Sequence, residues 1–67
     1  MLLDYEKIQV EMARKGLTVS EIGKIGSCSR QRVNTIIQKA AKGQHVKPVT
    51  AGKLAGALGV DITEILK

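Results

Sequence analysis

The chain has 67 residues, 43% hydrophobic and 25% charged, which suits one small folded domain spanning residues 1–67 and argues against disorder. Eleven Lys and Arg against six Asp and Glu give a net charge of +5, pointing to a polyanionic partner, nucleic acid or an anionic membrane surface. One Cys and one His exclude a disulfide framework and a zinc finger, the single aromatic Tyr5 argues against single-strand binding by base stacking, and no apolar run approaches a membrane span.

Leu2 and Leu3 are followed at once by Asp4, Glu6 and Lys7, which is no secretory signal, so a reducing cytoplasm is the expected compartment. Met1 and the end at Lys67 are consistent with a whole protein.

The spacing predicts five short helices. The first runs from about Asp4 to Lys15, with Asp4 as its cap and Tyr5, Ile8 and Met12 on its apolar face. Gly16 suits the position just past its end. Thr18-Val19-Ser20-Glu21 is a capping box, with Leu17 as a staple against Ile22, and opens a short second helix ending near Ile25-Gly26. Ser29 caps a third helix, about 29–42, closed by Gly43. Val33, Ile36, Ile37 and Ala40 fall on one face of it. Gln31, Thr35, Gln38 and Lys42 fall opposite, flanked by Arg32 and Lys39 on one side and Asn34 on the other.

Gln44–Pro48 reads as a loop. A fourth helix starts at Thr50 or nearby, turns Leu54, Ala57 and Leu58 inward, and ends at Gly59. Asp61–Glu64 resembles a second capping box, with Val60 as its staple residue. The fifth helix carries Ile62, Ile65 and Leu66 into the core. No strand signal and no repeat is present. Gly52 and Gly56, four residues apart, suggest a close helix contact, each at a cost of roughly 1 kcal/mol relative to Ala. Cys28 reads as a small buried hydrophobe, Tyr5 as core, and His45 as a loop residue near phosphate with no metal partner.

The charge is unevenly spread. No acid occurs between Ile22 and Val60, where Lys24, Arg30, Arg32, Lys39, Lys42, Lys47 and Lys53 lie, while the flanks together are net −2. Acids there would repel phosphate, so their absence fits a polyanion partner. An α-helix fits the major groove of B-DNA, where Arg suits guanine and Gln or Asn suits adenine. The third helix offers Arg30, Gln31, Asn34 and Gln38, with Thr35 able to meet a base edge or a thymine methyl. It has no Glu, whereas a merely soluble helix more often carries Glu–Lys pairs.

From Leu17 to Ile36 the chain resembles the helix-turn-helix of the phage-repressor and Cro type (XRE-like), and more weakly onward to Leu66. Ile22, Cys28, Val33 and Ile36 stand at that motif's apolar positions, and Gly23 at the small position where its helices cross. Ala57-Leu58-Gly59-Val60, then Asp61 and Glu64-Ile65-Leu66, resemble its last two helices. Departures are Ser27 where a turn Gly is usual, and Gly26 where an apolar residue is usual, a gap Ile25 is expected to fill. Val19 replaces a Gln that often touches phosphate. The third helix is about one turn longer, which is expected to carry Lys39 and Lys42 to phosphates.

The resemblance implies an all-α, compact five-helix fold of the lambda-repressor-like type, with the helix-turn-helix formed by helices 2 and 3. It implies base-facing or groove-edge roles for Ser29, Arg30, Gln31, Asn34 and Thr35. Thr18 matches a helix start near the DNA backbone, and Arg32 stands between base and phosphate. Lys24, Gln38, Lys39, Lys42 and Lys47 complete the phosphate-contacting set. The implied function is sequence-specific binding of double-stranded DNA by a small prokaryotic or phage-type regulator, most simply a repressor. Such proteins pair half-sites, so a homodimer at least on DNA is expected, joined through helix 5 and the turn before it (Ile62, Ile65, Leu66). No catalytic cluster, cofactor or metal site is indicated. The alternatives are a protein–protein module, docking on a repressor or toxin as modulator or antitoxin, and a non-specific basic nucleic-acid-binding protein.

Overall fold

The computed structural model describes all of residues 1–67. Four α-helices follow in chain order: α1 Tyr5–Lys15, α2 Val19–Ile25, α3 Arg30–Ala41 and α4 Pro48–Leu58. A single 3-10 turn, Ile62–Glu64, comes after them. The molecule measures 24 × 22 × 18 Å.

Most helix ends are set by residues within one turn of them. The Asp4 carboxylate accepts from Lys7 N at 3.2 Å and opens α1. Gly16 ends it in the left-handed region (φ 63°), and Leu17 N reaches back to Met12 O at 3.0 Å. Thr18 Oγ1 accepts from Glu21 N at 3.2 Å while the Glu21 carboxylate accepts from Thr18 N at 3.0 Å, a complete capping box on α2. Ser29 Oγ accepts from Arg32 N at 3.2 Å and opens α3. The four-residue link between α2 and α3 passes through Ser27 at φ 54°, where a Cβ is strained. Fourteen buried apolar residues form one core, drawn from all four helices, the amino-terminal segment, the loop before α4 (Val46) and the tail.

Several expectations need correction. α4 begins at Pro48, two residues before Thr50, because proline's fixed φ suits the first helical position and its missing N–H is not needed there. The fifth helix is only the 3-10 turn. The Asp61 carboxylate accepts from Thr63 N at 3.1 Å and not from Glu64 N, which bonds Asp61 O, so no capping box forms. The tail is instead drawn onto the amino-terminal segment: Asp4 N donates to Ile65 O at 2.8 Å and Lys67 N to Leu2 O at 3.1 Å. Leu3 bridges to Leu66 and Leu2 to His45, two isolated β-bridges where no strand pairing was expected. Tyr5 is 39% exposed; Leu3, just ahead of α1, is the residue buried at that end.

Ile25 does not fill the gap beside Gly26 and is 57% exposed. Ala57 of α4 closes it: a Cβ on Gly26 would stand 3.3 Å from Ala57 Cβ. Cys28 is half-buried against the core, and its Sγ–H donates to Gly26 O at 3.3 Å. Gly52 and Gly56 make no close helix contact: both are exposed, and an added Cβ would meet nothing within 4 Å. α4 turns Ala51, Leu54, Ala55, Ala57 and Leu58 inward. No helix is long and apolar enough to cross a membrane.

Candidate nucleic-acid interface

α2 holds α3 in place through a contact only glycine permits. A Cβ on Gly23 would lie 2.9 Å from Cys28 O and 3.4 Å from Arg30 N, so the backbone entering α3 lies directly against α2. Cys28 N also donates to Gly23 O at 2.8 Å. Val33, Ile36, Ile37 and Ala40 then fix the rotation of α3 about its own axis by burial. The side chains left outside are those the pattern placed there: Arg30, Gln31, Arg32, Asn34, Thr35, Gln38, Lys39 and Lys42 are all exposed.

These groups are chemically free. No hydrogen bond within the chain engages the side-chain amides of Gln31, Asn34 or Gln38, or the guanidinium groups of Arg30 and Arg32. The chain's one ion pair is Arg14–Glu11 at 3.4 Å, on α1, so none of the cations of α3 is neutralised. Two hydroxyls are partly engaged. Ser29 caps α3, and Thr35 Oγ1 donates to Gln31 O at 3.0 Å.

Beside α3 lies a cleft of about 330 Å³ lined by Arg32, Thr35, Ile36, Lys39, Val46, Lys47 and Thr50. The start of α4 forms part of it. Lys47 is the cap residue and makes no side-chain cap bond, so the Val49 and Thr50 amides have no acceptor within the chain. Three cations, the free Thr50 hydroxyl and the positive end of a helix dipole therefore meet on one surface, while Thr35 at its edge has already given its proton to Gln31 O. That set complements a phosphate group. The cleft unites Arg32, Lys39 and Lys47 of the expected phosphate set. Thr18, Lys24, Gln38 and Lys42 are exposed but line no part of it. At the start of α2 the Glu21 carboxylate already occupies the helix terminus. Thr50 and the bare start of α4 were missed from sequence. The readable signal was Lys47-Pro48, a basic residue before a proline at a helix start.

The acids gather elsewhere. The largest groove, about 440 Å³, runs between α1 and the 3-10 turn and carries Asp4, Glu6, Glu11 and Glu64 with Lys7 and Arg14. The surface expected to pair two copies is scarcely available: Ile65 is wholly buried, and Ile62 and Leu66 are half-buried. His45 is exposed and joined to Leu2 by a backbone bridge.

Compared with known proteins, the chain matches no protein-family model, no curated protein and no solved structure.

Proposed function

We propose that this protein binds double-stranded DNA sequence-specifically as a small transcriptional regulator, in the manner of the phage-repressor and Cro (lambda-repressor-like, XRE-like) proteins it resembles in sequence. α3 enters the major groove. Arg30, Gln31, Asn34 and Thr35 meet base edges, with Ser29 at the groove edge, while Arg32, Gln38, Lys39, Lys42 and Lys47 hold phosphates, with Thr18 and Lys24 as outlying contacts. The protein is non-enzymatic and acts in the cytoplasm, where its DNA is. The observation that carries this reading is the outer face of α3, where amide and guanidinium groups stand unpaired with no carboxylate to neutralise them. The cleft beside it, lined by Arg32, Lys39 and Lys47, supports the same assignment.

Two copies on inverted half-sites about 34 Å apart would supply the affinity that one recognition helix lacks. With Ile65 buried, such a dimer forms on DNA and not through an apolar patch in the tail.

The test is selection from a random duplex library at physiological salt. An enriched motif supports base readout, and two inverted half-sites support the dimer. Binding without enrichment moves the protein to the non-specific class. No binding points to a protein partner. Within the motif, Gln31→Ala should relax preference at one base pair and cost about 1–3 kcal/mol, whereas Lys42→Ala should weaken all sequences alike. Identical behaviour of the two variants would contradict this division of labour.

A further inference from the structure

The recognition face contains one hydroxyl whose proton is already committed before DNA arrives. Thr35 is exposed on α3, four residues on from Gln31, and its hydroxyl proton is donated to Gln31 O at 3.0 Å. A hydroxyl has one proton and two lone pairs. With that proton held by the helix, Thr35 offers a partner only acceptor capacity and its γ-methyl group. Donating to a base would first require breaking the bond to Gln31. Gln31 and Asn34, by contrast, keep free amides that can donate and accept.

We infer that Thr35 reads an A·T base pair, accepting from the adenine amino group and packing its methyl against the thymine methyl. The major groove narrows the choice. Guanine presents only acceptors there, adenine and cytosine present amino donors, and only the A·T pair adds a methyl group. An acceptor beside a methyl matches that pair alone. This assignment rests on the DNA-reading function proposed above and deepens it by naming the base pair that one residue selects.

The experiment uses the full chain and the motif enriched from the duplex library. Each thymine is replaced in turn by uracil, which removes the C5 methyl and leaves pairing intact. Wild-type protein should lose about fourfold in affinity at one thymine per half-site, the worth of one buried methyl group. Thr35→Ser keeps the hydroxyl and should be indifferent to uracil at that position. Thr35→Val keeps a methyl and should retain the loss. In wild type, 5-methylcytosine paired with guanine, which offers the same amino and methyl groups, should bind better there than unmodified cytosine. Circular dichroism of each variant checks that α3 stays folded. A uracil penalty in Thr35→Ser equal to wild type at every thymine would overturn the assignment, as would its absence everywhere in wild type. A library that yields no motif refutes the DNA reading itself, and this inference with it.

Discussion

Three glycines on two helices should respond to the same substitution with opposite signs. Gly52 and Gly56 lie within α4 on its outer face, and a Cβ at either position would meet nothing within 4 Å. Replacing Gly by Ala there removes only the entropic penalty of glycine, worth about 1 kcal/mol at each site. The two sites are neighbours one turn apart, but a pair of methyl groups on an open face couples little, so G52A/G56A should gain about 2 kcal/mol. In a domain of this size each kcal/mol moves Tm by about 4–8 °C, so the double variant should melt about 8–16 °C higher. Gly23→Ala brings the same propensity gain on α2. There, however, the Cβ would sit 2.9 Å from the backbone oxygen of Cys28, and backbone cannot swing aside. Overpacking of that kind costs about 1–3 kcal/mol, and relief requires α3 to move away from α2. Gly23→Ala should therefore melt lower and also bind DNA more weakly. Thermal unfolding followed by circular dichroism at low protein concentration decides the matter. If Gly52→Ala or Gly56→Ala lowers Tm, those glycines face something that approaches closely, and the outer face of α4 is not open.

Other substitutions test single interactions. Ser27→Gly should raise stability by roughly 0.5–1 kcal/mol, since it relieves a side chain held at φ 54°; an unchanged urea midpoint would show that the turn is not strained. Lys15→Met should cost about 1 kcal/mol, because the ammonium group bonds the Leu58 and Gly59 carbonyls at the end of α4; a loss no larger than that of Lys7→Met, whose lysine makes one bond to Leu66 O, would count against the cap. Lys39→Ala/Lys47→Ala should reduce the slope of log K against log salt by about 1.8, at roughly 0.9 per phosphate contact. A slope equal to that of wild type would place phosphate away from the cleft between α3 and α4.

The parts of this fold readable in advance are those governed by groups three to five residues apart. Asp4, Thr18 with Glu21, Ser29, Gly16 and Gly59 all bound their helices as the chain order implies, because a cap acts on amides or carbonyls of its own turn. The two faces of α3 followed equally from 3.6-residue spacing, and so the exposed polar and basic side chains of the candidate site could be named from sequence. What could not be named depends on contacts between distant segments. Met1–Asp4 bonds to Val46 on one side and to Ile65 and Lys67 on the other, pairing Leu2 with His45 and Leu3 with Leu66. Those separations leave no mark in local spacing, yet they bury Leu3, draw the tail out of a fifth helix and leave Tyr5 outside. The approach of Ala57 to Gly26 likewise made Ile25 unnecessary. The cleft is the same case: Thr50 and the bare start of α4 meet Arg32 and Lys39 only because α3 and α4 share the core. Local hydrogen bonding and periodicity belong to the chain order, whereas which surfaces meet depends on how one small core can be filled at full density.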